Sequence, residues 1–134
     1  MDKNKVAALL NKALALEYGD IFLYQRHVDY FAKYPGIGDL FRNFSQMETR
    51  HADILSLELK KLGFKPTTDF NLIDAKKGIK EIVGQHLRNE QVAVALYSQC
   101  LKLITDKRLE EIIDGIRIEE TIHEAALAKL IKWL

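Results

Sequence analysis

The 134-residue sequence has one cysteine, Cys100, and two prolines, Pro35 and Pro66. A lone cysteine excludes an intrachain disulfide and a cysteine-rich metal site, and Cys100 reads as a small buried hydrophobe. Scarce proline leaves long stretches open to helix, because proline breaks a helix interior. No charge sign dominates: 20 Lys and Arg stand against 19 Asp and Glu, for a formal net charge of +1. That balance carries no footprint of a nucleic-acid binder. Long apolar runs are also missing. The N-terminal segment MDKNKVAALLNKALALEYGD is interrupted by Glu17 and Asp20, shows no small-residue cleavage pattern, and falls short of the roughly 18 apolar residues of a membrane span. The expectation is a cytoplasmic, soluble protein with neither membrane nor nucleic-acid partner. The length predicts one domain over 1–134.

What the sequence does have is periodicity. Both prolines sit among other breakers, in YPGIGD and GFKPTTD. The segments between them predict helices over 4–34, 39–62, 75–104 and 107–132, and nothing alternates at the period of a strand. Asp39 and Asp106 are expected as N-caps and Gly63 as a C-terminal stop, while Gly78 leaves the third start open. Residues of one face recur at steps of three or four, as in Leu10, Leu14, Glu17, Ile21, Tyr24, Val28 and Phe31 of the first helix, all apolar or aromatic but Glu17. The predicted architecture is all-α, a four-helix bundle with one buried stripe per helix.

Each stripe carries a glutamate near its middle: Glu17, Glu48, Glu90 and Glu120. An unpaired buried carboxylate costs several kcal/mol, against a total stability of about 5–15 kcal/mol. Four close together would repel one another or take up protons. Two divalent cations cancel four such charges, and neutral histidines add nitrogen ligands without altering the sum. Residues three apart share a helix face. Glu48 and His51 therefore point the same way, as do Glu120 and His123. A larger pattern is repeated: Tyr24 follows Glu17 by seven and Tyr97 follows Glu90 by seven, while Glu17 to Glu48 is 31 residues and Glu90 to Glu120 is 30. Two similar helical hairpins, each supplying half a site, would produce this. The segment GFKPTTDFNLID between them reaches about 40 Å at roughly 3.3 Å per residue, enough for a single long crossover along the bundle.

Single glutamates on two helices and Glu-x-x-His on the other two form a set that resembles the ferritin-like superfamily, in particular bacterioferritins and the di-iron domain of rubrerythrins. The resemblance spans roughly residues 4–132. It implies Glu17 and Glu90 as terminal ligands, Glu48 and Glu120 as bridges, and His51 and His123 as one nitrogen ligand for each of two metals. Arg50 matches an arginine common in E-x-R-H, and Tyr24 is similar to a tyrosine beside the iron site. The sequence departs from the relatives in three ways. Thr49 stands where bacterioferritins carry the haem-ligating methionine, so no haem is expected. Ala93 replaces a second rubrerythrin glutamate, which withholds that family's peroxidase mechanism. No cysteine-rich electron-transfer segment is present, so electrons are expected from a separate donor or from the substrate iron.

The implied cofactors are two Fe ions, with Mn as the alternative metal. The expected reaction is of ferroxidase type: Fe(II) is oxidised and O2 or H2O2 accepts the electrons, with Tyr24 as catalytic donor of an electron or hydrogen bond. A di-iron oxygenase of an organic substrate and a non-catalytic metal-binding bundle are the alternatives. A homodimer or larger homo-oligomer is expected, with Phe22, Leu23, Tyr34 and Phe44 available for a dimer face. His86 reads as a hydrogen-bonded core histidine, with a third nitrogen ligand as the alternative. His27 is expected in solvent or at a subunit contact. Glu119 has two readings, surface charge or a hydrogen-bond partner for a metal-bound histidine of the other hairpin.

Overall fold

A computed structural model describes residues 1–70 and 78–134. Its elements are α1 (Lys3–Tyr30), α2 (Pro35–Lys61), α3 (Ile79–Leu101) and α4 (Lys107–Ile131), with no strand among the described residues. None of these helices is long and apolar enough to cross a membrane. Asp106 caps α4 as expected, its Oδ1 accepting from the Leu109 N–H at 2.9 Å. Asp2 caps α1 in the same way, from Lys5 N–H at 3.2 Å. Replacing Asp106 with Ala should lower stability by about 1 kcal/mol in urea denaturation, since one orphan N–H of the first turn loses its acceptor. An unchanged midpoint would show that this cap contributes nothing.

The Asp39 cap is not found. α2 starts four residues earlier, with Pro35 in its first turn and Tyr34 at the N-cap. Proline is pre-set for that position, whereas the residue before it is held out of helical geometry. Asp39 lies inside α2 and pairs with Arg42 at 2.8 Å. For the same reason α1 stops at Tyr30 rather than 34. Gly63 ends α2 with φ +91, and Gly78, at φ +90, directly precedes α3. Those positive values are easy for glycine and place the α3 start at Ile79 instead of 75; residues 75–77 lie outside the described ones.

α1 packs on α2 and α3 on α4, making the two predicted hairpins, and α1·α3 and α2·α4 contacts join them. Pairs across α1 and α3 run in opposite order: Glu17 meets Tyr97, Asp20 meets Asn89, Tyr24 meets Glu90 and His27 meets His86. The two are antiparallel. Because α2 also returns against α1, α3 runs parallel to α2. The described part of the connection between them runs beside α1. Lys65 and Thr67 bond Asn11, and Phe70 stacks on Phe22, farther along the same helix. The remainder of the predicted crossover, from residue 71, lies outside the described residues.

The apolar core forms two clusters. One contains Leu10, Leu14, Leu55, Tyr97 and Ile113; the other contains Tyr24, Phe31, Phe41, Val83 and Leu127. On every helix the stripe glutamate falls between the residues of one cluster and those of the other. Leu23 and Phe44 are buried, whereas Phe22 and Tyr34 are exposed, so the four residues offered for a dimer face split between core and surface.

Candidate metal centre

The layer between the two apolar clusters is polar. Glu17, Glu48, His51, Glu90, Glu120 and His123 all have 0% exposure. They form two groups able to hold a cation, Glu17–Glu48–His51–Glu120 and Glu48–Glu90–Glu120–His123, each with one ligand atom per residue within 4.8 Å of the others. Glu48 and Glu120 belong to both groups. His51 Nδ1 lies 2.7 Å from Glu120 Oε1 and 3.6 Å from Glu17 Oε2. On the other side His123 Nδ1 lies 3.1 Å from Glu48 Oε1 and 3.7 Å from Glu90 Oε2.

The inward atoms of this set, Glu17 Oε2, Glu90 Oε2, both oxygens of Glu48 and Glu120, and Nδ1 of each histidine, form no well-aligned hydrogen bond, although the two Nδ1 atoms approach carboxylate oxygens at 2.7 and 3.1 Å. Unpartnered buried carboxylate oxygens are costly in an apolar interior. A pair of divalent ions would satisfy all of them. The donor set fits hard or borderline metals through oxygen, with one imidazole for each ion.

The electrostatics are those of crowded acid. Burial, then the charges of Glu17 and Glu90, hold Glu48 well above the usual carboxylate range. Burial and the Glu17 charge do the same to Glu120. Glu90 moves the other way: burial works against it, but contacts with Glu120, His123 and Tyr24 favour its ionised form. Burial also opposes charge on His51, yet the Glu120 and Glu17 carboxylates outweigh it and push His51 up to about 10. Without metal, the layer therefore retains protons on some acids and positive charge on His51.

The outer carboxylate oxygens are held by the two tyrosines. Tyr24 donates to Glu90 Oε1 and Tyr97 donates to Glu17 Oε1, each at 2.7 Å. The mirrored spacing of these tyrosines in sequence thus corresponds to mirrored bonds. Burial, followed by the neighbouring carboxylates, pushes both phenols well above their usual pKa, which keeps them as O–H donors. Glu119 Oε2 lies 3.1 Å from Nε2 of His51 on the other hairpin, and the carboxylate pairs with Arg50. At the corresponding place on the other side, Met47 Sδ lies 3.2 Å from His123 Nε2.

His27 departs from the expectation of a solvated residue. It is 3% exposed, and its Nδ1 is 2.9 Å from His86 Nε2. His86 stacks on Tyr24, ring centroids 3.9 Å apart, and belongs to neither cation group. Burial holds both histidines neutral, with His27 lowered to about 4. Asp20 was not among the expected site residues, although it is fully buried one turn from Glu17. Its Oδ1 accepts from Asn89 at 3.1 Å. Spacing gives the one usable signal, since 17, 20 and 24 recur at steps of three and four. A surface cleft of about 530 Å³ along α1 and α2, bounded by Gln25, Asp29, Arg42 and Thr49, is lined by none of the six central residues.

Comparison with known proteins agrees with this geometry. A family model for the ferritin-like domain matches residues 5–132. No curated protein matches the chain. Among solved structures, the chain is similar to a bacterioferritin from Desulfovibrio desulfuricans, at 25% identity and TM-score 0.88, covering 97% of this chain and 80% of that one. That protein has a diiron site, described in different catalytic states. A ferritin-like diiron-carboxylate protein from Bacillus anthracis aligns at 21% identity and TM-score 0.87, covering 98% of each chain. Rhodobacter capsulatus bacterioferritin, with a metal-free dinuclear site and haem iron, aligns at 23% identity and TM-score 0.89, covering 97% of this chain and 85% of that one. The match over nearly the whole chain, together with four helices that carry a shared-carboxylate centre, establishes that the chain belongs to the ferritin-like domain family.

Proposed function

We propose that this chain is a di-iron protein of ferroxidase type, in which Glu17, Glu48, His51, Glu90, Glu120 and His123 bind two iron ions. The observation that carries the reading is the pair of buried four-residue groups sharing Glu48 and Glu120, whose inward atoms are left without a well-aligned hydrogen bond. The diiron site of the D. desulfuricans relative supports iron as the metal. Two Fe(II) ions held side by side supply two electrons together, so that O2 and two protons give H2O2, or H2O2 and two protons give two waters, with two Fe(III) formed. Complete burial of the six side chains favours ions and small oxidants over an organic substrate.

The protein's own part is positioning and charge. Glu48 and Glu120 would serve both ions, while Glu17 and Glu90 would serve one each, their outer oxygens held by Tyr97 and Tyr24. His51 and His123 would each offer Nδ1 as a nitrogen ligand to one ion. The Tyr24 phenol, bonded to Glu90, is placed to donate an electron or a hydrogen bond, and its ring stacks on His86.

Anaerobic Fe(II) titration of the metal-free chain should saturate at two ions per chain, and admitted O2 should oxidise both. Tyr24→Phe should keep that stoichiometry and slow the oxidation. Saturation at a single ion, unaffected by changing any of the six residues, would refute the assignment.

A further inference from the structure

We infer that the two cation positions are unequal, the one beside His51 binding its ion more tightly than the one beside His123, because Glu119 stands behind one ring and Met47 behind the other. This rests on the two-ion reading above and goes further by giving the positions different affinities.

The asymmetry appears against a near-symmetric background. Glu119 immediately precedes Glu120, and Met47 immediately precedes Glu48. Each reaches across the α2·α4 contact to the other helix's histidine. Glu119 Oε2 is 3.1 Å from His51 Nε2, and Met47 Sδ is 3.2 Å from His123 Nε2. Both rings turn Nδ1 toward the glutamates, so with a cation on Nδ1 the outward Nε2–H would be the donor in both. A carboxylate acceptor there fixes the tautomer and makes the ligating nitrogen more basic. A thioether is a weak acceptor and does much less. Arg50 pairs with Glu119 and keeps its carboxylate aimed. His123 is oriented instead by apolar packing, with Phe44 stacked at a centroid distance of 4.0 Å. Packing sets a ring's direction without raising its basicity. Carboxylate partners of this type are worth about 10–100-fold in metal affinity, which is the size of the expected difference between the positions.

Zn(II), which accepts the same nitrogen and oxygen donors, tests the inference without turnover. The full chain, stripped of metal and carrying ¹⁵N-labelled histidine, is titrated while long-range ¹H–¹⁵N spectra follow each ring and calorimetry follows affinity. The first equivalent should shift the His51 ring and the second the His123 ring, in two steps about 10–100-fold apart. Met47→Glu should close the gap by tightening the second step. Glu119→Met, at a partly exposed position, should close it by weakening the first, and circular dichroism verifies that each variant is folded. Both rings shifting together in the wild type, His123 shifting first, or a gap that survives both substitutions would overturn the inequality and leave the two-ion centre standing. Failure of Zn(II) to bind, or binding that shifts neither ring, would instead overturn the centre and the inference with it.

Discussion

Glu48→Gln is expected to abolish binding of both ions and, at the same time, to make the metal-free protein more stable. The two effects share one cause. Glu48 belongs to both cation groups, so the substitution takes an anionic donor from each ion at once. The loss should be at least about 100-fold for each, beyond the 10–100-fold typical of an outer hydrogen-bond partner. In the metal-free chain both Glu48 oxygens are buried without a well-aligned hydrogen bond, and burial with the Glu17 and Glu90 charges already drives its carboxyl toward protonation. An uncharged amide of the same shape relieves that repulsion. Relief of buried ionic groups is worth about 1–4 kcal/mol where it occurs.

Glu58 makes the control. It is equally inaccessible, at 2% exposure, but its oxygens are satisfied by Arg108 at 2.6 Å, and Lys61 stands 3.7 Å away. Glu58→Gln breaks a made interaction and should destabilise the protein. Urea denaturation in chelator, with and without each substitution, reads both signs. A less stable Glu48→Gln protein, or one that still takes up two ions, would show that these carboxylates are not held for cations.

The six central residues were legible in the sequence because helical periodicity makes an exception visible: a glutamate in an apolar stripe contradicts its neighbours. Two Glu-x-x-His pairs and the mirrored tyrosines then fixed which exceptions belonged together. Helix ends were harder. Pro35 and Gly36 read as breakers, yet proline in a first turn begins a helix, and the physical choice between those roles depends on what precedes it. Asp20 was hidden by its neighbour Ile21, since adjacent residues lie 100° apart and a stripe wider than that admits either. The structure puts Asp20 inside and leaves Ile21 half-buried. His27 bonds His86 across 59 residues, and Glu58 bonds Arg108 across 50. Such pairs depend on which helices become neighbours and in which direction, information that periodicity along one helix does not contain. The Met47 side was legible in part: Met47 precedes Glu48 as Glu119 precedes Glu120, which marks it as the counterpart without a carboxylate, but its contact with His123 depends on the same neighbouring of helices.

The largest condition-dependent effect should be a reversal of pH dependence by metal. His51 has an ordinary value of 6.5 and is raised to about 10 in the folded chain. Its contribution to stability is fully present below 6.5 and is lost as pH rises through about 10. Across that interval the unfolded chain releases a proton that the folded chain keeps, so metal-free stability falls with rising pH. Glu48, Glu120 and Asp20 are raised above the ordinary carboxylate range, so they add in the same direction as pH climbs from that range. His27 and His86 are lowered, and their opposite contribution is confined to pH below 6.5, where the unfolded chain gains protons. Above 6.5 the slope is therefore negative, at roughly 1.4 kcal/mol per pH unit for each retained proton. Two divalent ions require the carboxylates ionised and His51 neutral, so binding expels those protons and tightens about tenfold per pH unit for each one released. Saturating Mn(II) should therefore flatten or reverse the slope, because ligand that binds only the folded chain stabilises it by mass action. Paired urea titrations in chelator and in Mn(II), from pH 6.5 upward, measure both slopes. Calorimetry in buffers of different ionisation enthalpy should record the released protons. Parallel slopes and no proton release would mean that the cations do not replace the protons of this layer.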